Sequence, residues 1–347
     1  MKVVSTAKHL LHDNSLEVEW GVPRGHWEAP VRAEVIDAAL RLRPDHFTFV
    51  DPSEHGRLPI EAVHDPQLVA FLERAWADLQ AIRPQREIFP DTFLHPAIRE
   101  GMRPAPIPSA IDAQLGYWCF ETMTPLCQGT YEAARAAVDV ALTATDLVLG
   151  GERMAYGLCR PPGHHAPRAA YGGYCYLNNA AISAQMIATT ARTRVTVFDV
   201  DYHHGNGTQQ IFYGRDDVQY VSIHGDPNRA YPYLIGYANE TGAGRGLGHN
   251  VNLPQPSGTD DNAYIGALAQ ALDAVDAFDP SIIVVSLGVD THERDPLGDF
   301  RVSTEAYAVH GAMVAALDRP MVILQEGGYF VPSLGENVRQ WLTGAQS

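Results

Sequence analysis

Short apolar, β-branched runs alternate with amphipathic stretches of helical period along all 347 residues. Patterns of two-residue and 3.6-residue period that take turns in this way predict a mainly parallel sheet covered by helices on both faces. The clearest strands are 195–198, 218–223, 282–287 and 321–324, and Met1 to Ser5 reads as a first strand. Helices are predicted over 29–42, 131–149, 178–189, 260–278 and 304–317. No repeat, low-complexity tract or flexible linker interrupts the alternation, so residues 1–347 are expected to form one α/β domain. The segment from about 86 to 110 differs, because it carries Pro90, Pro96, Pro104, Pro106 and Pro108 and has no clear period. Long aperiodic segments inside compact domains are usually functional. Its Phe89, Phe93, Leu94 and Ile98 are expected to pack, as a channel wall or a subunit contact.

The residues with chemical potential follow the strands. Strand 195–198 runs into Asp199-Val200-Asp201-Tyr202-His203-His204, and 282–287 into Gly288-Val289-Asp290. Strand 321–324 runs into Glu326-Gly327-Gly328-Tyr329, and a strand ending near Cys159 runs into Arg160-Pro161-Pro162-Gly163-His164-His165. Ligands of open parallel sheets bind beyond the strand carboxyl ends, so four segments are expected to converge on one place. Residues two apart in extended backbone point the same way, which lets Asp201 and His203 reach one metal ion while Asp290 arrives from another strand. Three N/O ligands that leave a position for water describe a catalytic metal site rather than a closed structural one. His164 and His165 then suit proton transfer to and from the reacting groups. Asp199 can orient one of them, and Tyr329 can donate a hydrogen bond to a developing oxyanion. Taken singly, each of these residues reads as an ordinary solvated or packing side chain; their shared position after apolar strands is the signal.

Composition narrows the classes. Hydrophobic residues make up 46% and charged residues 19%, ordinary for a globular enzyme. No apolar run approaches the roughly 20 residues that cross a bilayer, and no membrane partner is expected. The first residues lack a signal peptide's apolar region, and Cys119, Cys127, Cys159 and Cys175 form no CxxC pair; a cytoplasmic protein with reduced, buried thiols is expected. A formal net charge of −16 argues against nucleic acid and favours cationic ligands, polyamines and basic protein tails alike, while also serving solubility. There is no P-loop and no Gly-x-Ser-x-Gly elbow, and the glycines between Gly242 and Gly248 do not link a strand to a helix as a nucleotide fingerprint would.

In order and spacing, Arg160-Pro161-Pro162-Gly163-His164-His165, Gly172-Gly173-Tyr174-Cys175, Asp199 to Thr208, Gly288-Val289-Asp290 and Glu326-Gly327-Gly328-Tyr329 resemble the histone deacetylase superfamily over nearly the whole chain. Within it, Trp27-Glu28-Ala29-Pro30, His224-Gly225-Asp226-Pro227, Gly236-Tyr237-Ala238, Glu240-Thr241-Gly242 and the long insertion resemble bacterial acetylpolyamine amidohydrolases. The resemblance implies an arginase/deacetylase fold with a central eight-stranded parallel sheet. It implies one Zn2+ on Asp201, His203 and Asp290, with His165 as general base and acid, His164 as an electrostatic partner oriented by Asp199, and Tyr329 as carbonyl polariser. It further implies a structural K+ near Asp199, Asp201, His203, Ser222 and Ile223, and channel walls at Tyr174 and Tyr231. Glu17 and Asp112 would meet a distal ammonium in a channel shaped by a homodimer. Two positions depart from the pattern: Asn206 stands where many members carry an aspartate beside the second histidine, and Met123 where a related polyamine enzyme carries a mouth glutamate. Gly205 and Gly288 replace the extra aspartates of two-manganese ureohydrolases, so one metal is expected.

The activity implied is hydrolysis of the acetamide of acetylputrescine, acetylcadaverine or acetylspermidine to acetate and a free amine. Deacetylation of protein acetyl-lysine is the alternative enzyme, and a non-catalytic acyl-amine sensor the alternative from another class. Iron(II) or cobalt(II) would accept the same ligands as zinc.

Overall fold

A computed structural model of the chain describes residues 1–93, 95–103 and 106–347. Its strands are β1 (Lys2–Val4), β2 (Leu16–Glu19), β3 (Val22–Gly25), β4 (Thr48–Val50), β5 (Met154–Gly157), β6 (Val195–Asp199), β7 (Val218–Gly225), β8 (Asn250–Gln255), β9 (Ile282–Leu287) and β10 (Met321–Gln325). β2 and β3 form a small antiparallel hairpin. The other eight make one sheet in the order β4-β1-β5-β10-β9-β6-β7-β8, and every pairing is parallel. The four strands and the first strand read from the sequence are all present, within two residues at each end.

Alternation along the central strands sends side chains into two separate cores. Val195, Val197, Ile282, Val284, Val322 and Leu324 face one of them. Phe198, Ile283, Val285, Leu287, Met321 and Ile323 face the other. On the first face the strands meet helices that include Pro66–Ile82, Thr130–Leu149 and Asn179–Thr190, through Leu68, Phe71, Val138, Leu142, Ile182 and Ile187. On the second they meet Val31–Arg41, Asp261–Phe278, Ala306–Ala315 and Val331–Gly344, through Ile36, Leu40, Leu268, Val275, Val314 and Trp341. Helix starts are set locally: Asn178 accepts the Ala181 amide at 2.9 Å, and Asp260 that of Ala263 at 3.0 Å.

The chain order positions the site. β9 and β10 are the last strands in sequence, yet they insert at the centre of the sheet between β5 and β6. The loops leaving β5, β10, β9 and β6 are therefore neighbours at one end of the sheet, where the strand order switches.

The proline-rich segment is anchored at both ends: Gln114 donates to the Pro108 carbonyl at 2.7 Å, and Ile107 packs against the first core. Ile88 is buried and exchanges two backbone hydrogen bonds with Leu126, at 2.9 and 3.0 Å. Phe89 and Phe93 are half-buried, whereas Ile98 is 71% exposed in the single chain. Leu94 and Pro104 of the same expectation lie outside the described residues.

Ile323 is fully buried in the middle of β10. Ile323→Ala should destabilise the protein by ~2–5 kcal/mol, since neighbours on a central strand cannot collapse into the void. Denaturant unfolding monitored by fluorescence measures this; a loss below about 0.5 kcal/mol would contradict the two-core description.

Candidate active site

The loops after β6 and β9 bring Asp201, His203 and Asp290 together, with one potential ligand atom of each within 4.8 Å of the others and all three residues buried. His203 Nδ1 lies 3.0 Å from Asp290 Oδ2 and 3.3 Å from Asp201 Oδ1. Backbone amides fix the carboxylates: Asp201 accepts from His203 at 2.8 Å and Gly327 at 2.7 Å, and Asp290 from Tyr202 at 2.8 Å. Two glycines make this approach possible. A Cβ on Gly288 would stand 2.0 Å from Asp201 Oδ2, and one on Gly327 2.3 Å from Asp290 Oδ2. A side chain at Gly205 would likewise come within 2.3 Å of Asp199 Oδ2, so the positions that would carry extra ligands in a two-metal centre have no room for them.

Electrostatics shows that this donor set fits a cation. Two adjacent carboxylates this deep do not both ionise unaided. Burial first, and then the charge of Asp201, pushes Asp290 up to about 7. Asp201 itself is held far below the usual carboxylate range; burial opposes this, but the charges of His164 and His203 outweigh it. Two carboxylates and one imidazole match the ligand set of a divalent ion such as zinc with a position left open.

The two histidines after β5 stand beside the cluster, their ring centroids 4.0 Å apart, and they differ in state. His164 Nδ1 meets Asp199 Oδ2 at 3.1 Å, and Asp199 is steadied by the Tyr220 hydroxyl at 3.0 Å. Burial lowers the pKa of His164, yet the carboxylates of Asp201 and Asp199 outweigh that and raise it to about 10, so the ring carries charge. His165 Nδ1 meets Asn206 Oδ1 at 2.7 Å, while Asn206 turns its amide nitrogen to the His165 carbonyl. Nδ1 therefore donates, and Nε2 is left as an acceptor. Burial, then the charges of His164 and His203, press His165 well below its usual pKa, against the bond to Asn206. The surroundings thus favour the charged ring at His164 and the neutral one at His165.

A cavity of about 600 Å³ opens over these groups, and its lining includes His165, His203, Asn206, Tyr174, Tyr231 and Tyr329. The Tyr231 ring meets that of His165 edge-on at 5.0 Å, and Tyr174 lies 5.8 Å from Tyr329. Burial raises the Tyr329 hydroxyl well above its usual pKa, which keeps its proton available for donation. Glu17 sits behind the wall, accepting from the Tyr174 hydroxyl at 2.9 Å; burial pushes it up to about 7, against the bonds from Tyr174 and the Trp27 amide. Ser222, paired with Asp199 in the sheet register, and Ile223 are fully buried beneath the site.

Asp112 is the one expected site residue that the fold does not bring there. It lies at the start of helix Ile111–Trp118, 3.4 Å from Arg83, and lines a separate cavity of about 460 Å³ beside Phe89 and Phe93.

Three further residues shape the site, and spacing alone gives them no role. Glu326 accepts from the amides of Gly163 and His164 at 2.7 and 3.2 Å, gripping the loop that carries both histidines. Arg32 places its guanidinium over the Tyr329 ring at 4.5 Å. Asp295 accepts the Tyr329 amide at 2.6 Å. Glu326 could have been found as a buried acid directly after an apolar strand; Arg32 reads as a solvent-facing helix residue and Asp295 as a loop acid.

This sheet, with a cluster able to hold a metal ion and a paired-histidine loop at its carboxyl end, defines a deacetylase-type hydrolase. The chain belongs to the histone deacetylase family: the histone deacetylase domain matches residues 26–345. It has the arginase/deacetylase fold and is a hydrolytic enzyme. It is 41% identical to the acetylpolyamine amidohydrolase of Mycoplana ramosa over 344 residues, covering 99% of each chain. It is 40% identical to acetylpolyamine amidohydrolase 1 of Pseudomonas aeruginosa, over 99% of this chain and 98% of that one. The crystal structure of an acetylpolyamine aminohydrolase from Burkholderia pseudomallei superposes with a TM-score of 0.92 at 40% identity, covering 99% of this chain and 98% of that one.

Asn206 gives His165 a neutral partner, so Asn206→Asp tests the base directly. A carboxylate there favours the imidazolium and raises the His165 pKa. The acid limb of the pH profile of kcat/KM should therefore move to higher pH, and an unmoved limb would remove His165 as the titrating base.

Proposed function

We propose that the protein hydrolyses the acetamide of small acetylated polyamines, with zinc held by Asp201, His203 and Asp290. The observation that carries this is that His203 of the Asp201–His203–Asp290 cluster, His165 and the Tyr329 phenol line the same cavity. A zinc ion in such a seat supplies Lewis acidity to a carbonyl and makes water available as a nucleophile near neutral pH.

The chain's own groups do the remainder. His165 takes the proton of the attacking water at Nε2, the nitrogen that Asn206 leaves free, and returns it to the departing amine. His164, held as a cation against Asp199, keeps positive charge beside the reacting centre and discourages a second proton on His165 before attack. Tyr329 donates its hydroxyl hydrogen to the carbonyl oxygen as negative charge develops.

Substrate class follows from the cavity and the relatives. Glu19, Glu121 and Asp299 line the cavity with one guanidinium, Arg229, while Arg24 pairs with Glu19 at 2.9 Å. That balance, with a net charge of −16, favours a cationic chain. Relatives about 40% identical over 99% of the chain are acetylpolyamine amidohydrolases. The same reading includes a structural potassium on Asp199, Asp201, His203, Ser222 and Ile223. It makes the working form a homodimer, which would cover Ile98 and Met102, 71% and 63% exposed, and would let Asp112 serve a neighbouring channel. It places the protein in the cytoplasm, in keeping with four free, buried cysteines.

The test is kcat/KM for acetylputrescine, acetylcadaverine and acetylspermidine against an acetyl-lysine peptide. The polyamines should be preferred by at least about tenfold, or about 1.4 kcal/mol. Preference for the peptide would reassign the substrate to protein acetyl-lysine, and tight binding without turnover would leave a sensor. Tyr329→Phe should lower kcat by a factor on the order of 10²; near-normal turnover would take the phenol out of the mechanism.

A further inference from the structure

Tyr329 can act only if its ring is held in place, yet it follows two glycines, and Gly328 has a positive φ of 121°. Such a backbone has little conformational preference of its own. Two side chains clamp it from different elements. On one side, Arg32 donates to the Gly328 carbonyl through Nε and to the Glu326 carbonyl through Nη2, both at 2.6 Å, and lays its guanidinium over the Tyr329 ring. On the other stands Asp295, a carboxylate 7% exposed that makes no ion pair among the described residues and spends its oxygens on backbone amides.

Those amides come from two loops. Oδ2 accepts from Tyr329 at 2.6 Å and from Phe330 at 3.1 Å, the N–H groups entering the helix Val331–Gly344. Oδ1 accepts from Leu297 at 3.0 Å, and Leu297 lines the cavity. Asp295 lies five residues after the metal-site residue Asp290, on the loop that leaves β9. A single carboxylate therefore ties that loop to the one carrying Tyr329. Charged acceptors at buried amides make strong, directional bonds, and the first amides of a helix have no partner within it.

We propose that Asp295 is a positioning residue for catalysis, fixing where Tyr329 presents its hydroxyl relative to the metal site. The inference rests on the reading of Tyr329 as the donor to the substrate carbonyl. Both oxygens are needed. In Asp295→Asn the amide nitrogen replaces one acceptor and faces an N–H, so either Leu297 or the Tyr329–Phe330 turn is released. A displacement near 1 Å is enough to lower a rate by about 10²-fold.

Turnover of an acetylated polyamine is measured for the zinc-loaded wild type, D295N, Y329F and the double variant, with metal content and Tm for each. D295N should bind one zinc as the wild type does and lose about 10- to 100-fold in kcat. In the Y329F background the same substitution should change kcat less than about threefold, because the group it positions is already gone. An equal loss in both backgrounds, or wild-type kcat in D295N, overturns the proposal. Asp295→Ser removes the carboxylate in a second way and carries the same expectations. A crystal structure of either variant reads the position without activity: Tyr329 should be displaced, and an unmoved ring overturns the proposal even if the wild type were to hydrolyse no acetylated amine. That last result would count against the function alone.

Discussion

Asp201 and Asp290 are two carboxylates brought side by side in the interior, where solvent cannot screen them and where neither makes an ion pair with an arginine or lysine among the described residues. Burial and mutual repulsion would force a proton onto one of them, as the upward shift of Asp290 shows. A divalent cation relieves this, and much of the surrounding structure is arranged to hold the pair ready for one. The amides of Tyr202, His203 and Gly327 point at the carboxylates. Gly288 and Gly327 leave the space that side chains would fill. The charge on His164 draws on the same negative field, as does the contrast between that ring and the neutral His165.

The parallel sheet makes this possible. Only a strand whose both faces are buried ends in a loop that is itself deep, and only neighbouring parallel strands end at the same level. Inserting β9 and β10 between β5 and β6 sets four such loops next to one another. The two cores supply stability on either side, while the polar groups are confined to the end of the sheet, satisfied by backbone amides and by each other. The cost of burying charge is thereby limited to one region, and there it serves chemistry.

Most of this was readable from the amino-acid sequence, for identifiable reasons. Runs such as 282–287 are apolar on both faces and could only be interior strands, so Asp290, Asp201 and His203 could be placed at strand ends without coordinates. The Asn206 departure was legible too, through the resemblance to relatives that carry an aspartate there, and the structure sets it against His165. The role expected of Asp112 depends on a neighbouring subunit's channel, so a single chain does not decide it; within the chain it faces Arg83. Arg32 and Asp295 act through backbone carbonyls and amides of residues distant in sequence, and no spacing or side-chain pattern records such bonds. Ile98 was read as packed because its apolar character is plain, and a contact with a second subunit, which one chain does not show, would leave it exposed here.

The most direct test is the crystal structure of the protein grown with zinc, with anomalous diffraction collected on both sides of the zinc edge. One anomalous peak per chain should lie between the Asp201 and Asp290 carboxylates and the His203 imidazole, with Zn–N and Zn–O distances of about 2.0–2.2 Å. A folded chain in which those three side chains enclose no ion, or in which zinc sits elsewhere, would contradict the account.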